Sequence, residues 1–208
     1  MDKINLPTRA LDENFSLSKA LDKRISCRNF ERKSITLKEL ANILWAADGL
    51  NDKRYNMRRT APSAGALYPL ELYVAVRKDG VYELDEGIHH YDPIEHLLEK
   101  FSDKEIIEEL AEATYNQGFI KKASVNLLIA GKNERTTRFY GERGDRYVLM
   151  EAGAVSQNIH LEAVEKELGT VIIGAFDDEK IQSLFNIDEL KPLCIMPIGK
   201  PENKNIYK

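Results

Sequence analysis

The residues best placed to do chemistry lie in segment 59–77, where a run of small residues leads into an apolar stretch. Pro62, Ser63, Ala64 and Gly65 are small enough for the backbone to come close to a flat ligand. Residues 72–76 are apolar, aromatic and β-branched enough to form a buried strand. The pattern predicts a tight loop that offers backbone donors to a cofactor, although an ordinary turn before a strand would have the same composition.

A second segment, 24–30, carries cationic side chains around a hydroxyl group. Arg24 and Arg28 lie on either side of Ser26. Two guanidinium groups at this spacing could bind one phosphate or one anionic ring edge. An ordinary solvated basic turn is the alternative for this motif alone.

Two segments near the end of the chain suit the same kind of ligand. Segment 170–178 is an apolar strand that ends in Gly174 and Ala175, where a bare backbone N–H could face a ring nitrogen. Lys200 follows the apolar run of a closing strand at 193–198. The alternatives are a strand end before an Asp helix cap and a solvated lysine.

Taken in order, these segments resemble the nitroreductase superfamily of flavin enzymes, and within it the SagB-type dehydrogenases. The resemblance covers nearly the whole chain. Its motifs are RISCRNF at 24–30, ILWAADGL at 43–50, RRTAPSAGALYPLELYV at 58–74, GIHHYDPIEHLL at 87–98, ERTTRFYGERGDRYVLMEAGAVSQN at 134–158, LGTVIIGAFDD at 168–178 and PIGKP at 197–201.

The resemblance implies an α+β fold in which helices flank a mostly antiparallel central sheet, and an obligate homodimer with an FMN between the subunits. It assigns Arg24 and Ser26 to the phosphate and ribityl end, and Arg28 to the pyrimidine edge. By the same resemblance, the other cofactor-binding residues are Pro62, Ser63, Ala64 and Gly65 along the ring (from the partner subunit), Gly174 and Ala175 near flavin N5, and Lys200 or Lys204 at the phosphate.

Several functions remain open on this basis. The first is an FMN-dependent oxidoreductase that uses NADH or NADPH to reduce nitroaromatics, quinones or similar small acceptors by ping-pong hydride transfer. The second is a SagB-type dehydrogenase that oxidises a thiazoline or oxazoline, for which Tyr68 is the best candidate catalytic base. The third is a flavin-binding redox protein without turnover. Two departures from the family pattern, Ala154 for a histidine and Asp145 for a tyrosine, suggest a different substrate preference.

Composition predicts one domain over residues 1–208 and a cytoplasmic location. The chain has 43% hydrophobic residues, a formal charge of −4 and two cysteines without metal-ligand spacing. There is no G-x-G-x-x-G motif and no apolar stretch near the roughly 20 residues that cross a membrane. We therefore expect a small-molecule substrate, with no nucleic-acid partner, no membrane partner and no metal site.

The periodicity of apolar residues predicts the elements that position these segments. A capping box at Thr36 and Glu39 begins a helix that Gly49 stops, and Ser102 with Glu105 begins another. The longest helix is predicted over 145–168. Strands are expected at 71–77, 125–130, 170–175 and 193–198, with a hairpin at 78–80 that returns through 81–84.

Overall fold

The computed structural model describes residues 2–9, 12–52, 58–203 and 205–207. Within them, the strands are β1 (Lys3–Asn5), β2 (Leu50–Asp52), β3 (Arg58–Arg59), β4 (Leu70–Val76), β5 (Gly87–Asp92), β6 (Leu97–Ser102), β7 (Val125–Gly131), β8 (Gly169–Thr170) and β9 (Lys191–Gly199). The helices are α1 (Leu17–Lys23), α2 (Leu37–Asp48), α3 (Ile107–Ala113), α4 (Glu134–Tyr140), α5 (Arg143–Glu165) and α6 (Asp178–Phe185).

The central sheet is antiparallel throughout its seven described strands, in the order β1-β6-β5-β4-β7-β9-β8. Strand β7 lies near its middle, and every residue of the strand is buried. Alternate residues of β7 belong to two separate cores: Leu127 and Ile129 pack with α2 and α5, while Leu128 and Ala130 pack with α3 and α6. The predicted α+β class and antiparallel sheet are confirmed.

Helix α2 begins at the predicted capping box. The Thr36 hydroxyl accepts a hydrogen bond from Glu39 N–H at 3.1 Å, and the Glu39 carboxylate accepts one from Thr36 N–H at 2.7 Å. The helix ends at Asp48, the residue before Gly49. The capping box fixes where α2 begins, and the Asp48 carboxylate lies at the other end of the helix.

Helix α5 is the long helix of the described chain, at 23 residues. Val148, Val155 and Ile159 are buried along one side of it, as the stripe of apolar residues predicts. Two large apolar residues of the same helix are exposed: Leu149 is 60% exposed and Met150 is 62% exposed. Added to Gly153, a Cβ atom would meet nothing within 4 Å, so this side of the helix is open to close approach.

Three local predictions were wrong. The hairpin partner of β4 is β5, and Val81 and Leu84 form only isolated bridges. Helix α3 begins beyond Ile106 without a side-chain cap, because the Ser102 hydroxyl accepts the nearby Lys104 N–H instead. The strand predicted at 170–175 is paired over Gly169–Thr170 and then only through an isolated bridge at Ile173.

Both cysteines are buried. The Cys27 thiol donates to the Asn29 carbonyl at 3.3 Å, and the Cys194 sulfur lies 3.5 Å from the Ser156 hydroxyl. Burial raises the pKa of both thiols, that of Cys194 to about 11. Within the described residues, no helix is long and apolar enough to span a membrane.

Candidate functional site

Backbone hydrogen bonds bring three of the four predicted segments together. Cys27 N–H donates to the Thr170 carbonyl at 2.8 Å, which sets segment 24–28 beside the strand that leads to Gly174. Glu31 N–H donates to the Lys200 carbonyl at 2.8 Å, and Phe30 forms a bridge with Pro201. Segments far apart in sequence therefore converge at one edge of the sheet, next to β8 and the end of β9.

The cationic part of this region lies against the second half of α5. Arg24 follows directly after α1 and is half-buried, as is Ser26, whereas Arg28 is exposed. Burial, and then the Arg24 charge, lower the pKa of His160 on α5 to about 4, so this histidine is neutral beside the guanidinium. A donor set of guanidinium and hydroxyl groups suits a phosphate.

The Gly174 backbone faces open space. Gly174 and Ala175 are both exposed, and a Cβ atom added to Gly174 would meet nothing within 4 Å. The preceding residue, Ile173, is fixed to β9 by N–H to carbonyl bonds with Ile195 at 2.9 Å in both directions. A rigid strand end thus presents an uncovered backbone where a flat ring could approach, so the residues present fit a flavin.

Lys200, one of the two lysines predicted at the phosphate, is held by an acidic partner. The Lys200 ammonium pairs with the Glu39 carboxylate at 2.5 Å and lines a cavity of about 750 Å³ together with Arg32, Arg77 and Tyr207. The phosphate role of Lys200 stays a prediction. Lys204 lies outside the described residues.

The small-residue loop is tied down by its own chain. Its 3₁₀ turn (Ala64–Ala66) has Gly65 at φ 62° and Ala66 at φ 53°, and Tyr68 follows at φ 46°, all in the left-handed region. The Ser63 hydroxyl accepts Tyr68 N–H at 2.9 Å, and Arg135 of α4 donates to the Tyr68 carbonyl at 3.0 Å. A non-glycine residue at Gly65 would be strained in this conformation.

A buried ionic cluster, absent from the sequence predictions, lies behind this loop. The Arg59 guanidinium contacts the Asp48 carboxylate at 2.5 Å and lies 4.4 Å from the centre of the Tyr68 ring. The carboxyl group of Glu151 on α5 faces the Ser63 hydroxyl. Exposure is 1% for Asp48 and 3% for Glu151. We call Asp48, Arg59, Ser63, Tyr68 and Glu151 the loop cluster.

Burial raises the pKa of both carboxyl groups to about 7. The Arg59 charge lowers both values, and the Asp48 charge raises that of Glu151. Because Arg59 contacts Asp48 directly, the negative charge belongs on Asp48 and the bound proton on Glu151. The cluster is then close to neutral, the least costly state for charges removed from water.

Tyr68, the predicted catalytic residue, is half-buried within this cluster. Its hydroxyl accepts Arg59 N–H at 3.3 Å, and its ring stacks under the Arg59 guanidinium. These contacts order the loop, and they leave the catalytic assignment of Tyr68 a prediction.

The two departures from the family pattern occupy different places. Asp145, in the first turn of α5, accepts a hydrogen bond from Asn133. Ala154 is half-buried against the core, near the middle of the same helix. Asp145 therefore has a local structural partner, whereas Ala154 has only its packing against the core.

The loop and the cationic region lie on different parts of α5. Glu151 faces the loop, and His160 lies beside Arg24. These two helix positions are about 13 Å apart along the axis at 1.5 Å per residue. In one subunit, the loop and Arg24 are therefore separated along the helix.

Comparison with known proteins gives the family. The model described as the nitroreductase family matches residues 21–200. The nitroreductase homologue MJ1384 of Methanocaldococcus jannaschii is 46% identical over 188 residues, which cover 90% of this chain and 92% of that protein. The chain belongs to the nitroreductase family, which makes it a flavin-type oxidoreductase.

Other similarities extend to structure and to peptide-processing proteins. A nitroreductase structure from Ralstonia eutropha has a TM-score of 0.84 at 25% identity and covers 97% of this chain and 90% of its own. The microcin B17-processing protein McbC of Escherichia coli is 26% identical over 151 residues, which are 69% of this chain and 55% of McbC. A chain of the E. coli McbBCD complex has a TM-score of 0.78 at 23% identity and covers 95% of this chain and 77% of its own, which shows the shared fold.

Proposed function

We propose that this protein is an FMN-dependent oxidoreductase that takes hydride from NADH or NADPH and passes it to a nitroaromatic, a quinone or a similar small acceptor in a ping-pong cycle. The observation that carries the proposal is the convergence of Arg24, Ser26 and the open Gly174 backbone at one sheet edge. Family membership supports the flavin, and the donor types support its phosphate.

Different residues would bind different parts of the cofactor. Arg24 and Ser26 would bind the phosphate and ribityl end, and Arg28 would lie near the pyrimidine edge, where a positive charge stabilises an anionic reduced ring. Gly174 and Ala175 would lie along the ring. When bound, FMN would supply the hydride-accepting atom N5. The protein would contribute position and exclusion of water, and hydride transfer needs no dedicated acid or base.

A homodimer would complete the site. The small-residue loop is separated from Arg24 along α5, so a loop from a second subunit is the simplest way to cover the ring. The exposed apolar side chains of α4 and α5 support such an interface: Phe139 is 72% exposed, Leu149 60% and Met150 62%. With Gly153 open between them, two helices could pack closely.

The similarity to McbC favours a second candidate, a SagB-type dehydrogenase that oxidises a thiazoline or oxazoline ring. Such a reaction would need a base for the ring proton, and Tyr68 is our candidate for it. The Tyr68 hydroxyl accepts Arg59 N–H, and it would act as a base only after its own proton has left. The cytoplasmic location stays a prediction from composition.

The visible spectrum of the purified protein tests the proposal. We expect a yellow protein that bleaches when NADH or NADPH is added without oxygen and recovers with a quinone or nitroaromatic. A yellow protein that nicotinamide leaves oxidised would favour the azoline dehydrogenase or a redox-binding role. A colourless protein that cannot be loaded with FMN would refute the flavin site itself.

A further inference from the structure

The backbone of Tyr68, at the end of the small-residue loop, is held by side chains on both sides. Its N–H donates to the Ser63 hydroxyl at 2.9 Å, and its carbonyl accepts from Arg135 of α4 at 3.0 Å. Tyr68 has φ 46° and precedes Pro69, whereas a residue before proline prefers extended backbone. Such a conformation persists only where the surroundings enforce it, so these two hydrogen bonds set the path of the loop into β4.

The Arg135 side chain also reaches the central sheet. Its Nη2 donates to the Glu71 carboxylate at 2.5 Å, while its Nη1 donates to the Tyr68 carbonyl. Glu71 lies in β4, where it pairs with Ala130 of β7. A guanidinium group is planar and rigid, so hydrogen bonds from its two ends fix one partner relative to the other. Arg135 therefore fixes the loop carbonyl relative to the sheet.

Glu71 is itself held from the neighbouring strand. Its other carboxylate oxygen lies 2.8 Å from Nε2 of His90 on β5, and the His90 ring is 4.8 Å from the Tyr73 ring, centre to centre. Burial raises the pKa of Glu71, but the His90 hydrogen bond and the Arg135 charge outweigh it and leave the pKa below its ordinary value. The ionised carboxylate can only accept, so His90 carries a proton on Nε2. A continuous path of hydrogen bonds thus runs from β5 to the loop.

We propose that Arg135 is a positioning residue of the flavin site, which holds the Tyr68 carbonyl against Glu71 and thereby keeps the small-residue loop in the shape that covers the flavin ring. That the loop covers a flavin rests on the proposed function. Arg135 lies on α4 and is not among the residues that the sequence assigned to the cofactor. Without its guanidinium group the loop loses this shape, and both flavin affinity and hydride transfer fall.

The space beside Arg135 makes a chemical rescue possible. Its side chain is 39% exposed and borders a cavity of about 480 Å³ that Tyr73, His90 and Phe101 also line. In Arg135→Ala, a free guanidinium ion can enter from this cavity and donate to both partners. The ammonium group in Arg135→Lys lacks the fork and cannot hold both partners in the same geometry.

The first test needs no flavin. Hydrogen exchange of the Tyr68 amide is measured in the flavin-free full-length chain, and urea unfolding of the same proteins gives their global stability. The exchange rate should rise about tenfold or more in Arg135→Ala, since a hydrogen bond from a charged group is lost. It should return toward the wild-type rate with guanidinium ion, added well below the concentrations that unfold proteins, and stay high in Arg135→Lys.

Three results of this test would overturn the inference whatever the protein binds. The first is an unchanged exchange rate in Arg135→Ala. The second is a rise that the loss of global stability fully explains, because Arg135 would then stabilise the fold without acting on the loop. The third is full protection in Arg135→Lys, which would show that a charge suffices and that the bridge to Glu71 is not needed.

The second test measures the FMN dissociation constant by flavin fluorescence, and the rate of flavin reduction by nicotinamide at saturating FMN. In Arg135→Ala the constant should rise about tenfold and the rate should fall about tenfold, and guanidinium ion should restore both. Because FMN is saturating, a lower rate does not reflect lost cofactor. A purely structural role would lower the unfolding midpoint and leave the rate per bound flavin unchanged.

Arg138→Ala is the matched control, because Arg138 is an exposed arginine of the same helix that makes no hydrogen bond to the loop within the described residues. It should follow the wild type in both tests. If Arg135→Ala opened the loop but kept wild-type FMN affinity and reduction rate, the loop would not cover the flavin, with the flavin function intact. A wild-type chain that cannot be loaded with FMN would instead refute the proposed function, and with it the flavin part of this inference.

Discussion

The two halves of the candidate site lie at different parts of α5, and they differ in how far their groups are already buried and bonded. Around Glu151, the loop is hydrogen-bonded to β3 and α4 of its own chain, Arg59 of β3 pairs with Asp48 of α2, and the two carboxyl groups are buried. Around His160, Arg24 is half-buried, and along the same sheet edge the Arg28 side chain is exposed and the Gly174 backbone faces open space. The first half is preorganised before any ligand binds, whereas the second supplies donors whose binding energy is gained only with a ligand.

We expect the largest effect on FMN binding from a substitution in neither half, but in the proposed dimer interface, through which the loop of one subunit would reach Arg24 of the other. Met150→Glu places a charge on the exposed apolar side of α5, and in a dimer interface that charge would be buried at a cost of about 3 kcal/mol or more. We expect a monomer without bound FMN, measured by light scattering and by flavin absorbance. Tyr82→Glu, at a residue that is 60% exposed elsewhere, should remain dimeric and yellow. A dimeric, fully loaded Met150→Glu protein would exclude this surface as the interface.

A substitution in the open half, around Arg24, should change the affinity for FMN. Arg24→Ala removes a charge-assisted hydrogen bond worth about 1.5–3 kcal/mol, so the FMN dissociation constant should rise by roughly 10- to 100-fold. Fluorescence titration measures the change. The neighbouring Lys23, which pairs with Asp22, provides the control Lys23→Ala. An unchanged constant in Arg24→Ala would place the phosphate elsewhere.

A substitution in the buried half, around Glu151, should change how the free energy of unfolding depends on pH. The folded pKa of Glu151, about 7, lies above its ordinary value of 4.5, so the folded chain holds a proton that the unfolded chain releases between these values. The resulting stabilisation is complete below about pH 4.5 and is lost as the pH rises through about 7. Glu151→Gln lacks this loss, so urea unfolding should show it gaining about 1–3 kcal/mol over the wild type between acidic and alkaline pH.

Asp48 is present in both proteins, so their difference isolates Glu151. Glu112→Gln on α3, at an exposed position, should keep the wild-type pH dependence. If the wild type and Glu151→Gln lost stability in parallel, the bound proton would belong to Asp48 instead.

The smallest effect is expected at Lys200. Its partly exposed pair with Glu39 is worth about 0.2–1 kcal/mol of stability, and Lys200→Ala should change the FMN dissociation constant by less than about threefold. Lys122→Ala, which breaks the exposed pair with Glu202, is the control. A tenfold loss of affinity in Lys200→Ala alone would show that this lysine leaves Glu39 to bind the phosphate.

The parts of the fold that sequence predicts well are those governed by local chemistry or by long periodic stripes. Helix α2 has its capping box, helix α5 has its apolar stripe, and strands β4, β7 and β9 are continuous apolar runs. Strands β5 and β6 escaped prediction because their sequences mix polar and apolar residues. His89 is fully buried, since β5 pairs on both sides in the sheet.

The candidate site also has a part that the sequence predicts and a part that it does not. Motif order identified the segments, and backbone pairing then showed which of them meet. The loop cluster could not be assembled from sequence, because its contacts join α2, β3 and α5 across most of the chain. One signal was available: Glu151 lies three residues after Val148 on the buried side of α5, where a glutamate must have a partner or a proton.

Because Cys27 and Cys194 are buried, the labelling of their thiols can report local unfolding of the protein. Each thiol is covered, and its raised pKa keeps the reactive thiolate scarce, so an alkylating reagent gains little access to the folded chain. The two sulfurs belong to different cores, one beside Phe30 and the other beside α5. The labelling rate of each thiol therefore reports how often its own region unfolds. The ratio of the two rates shows whether the two regions unfold separately or together.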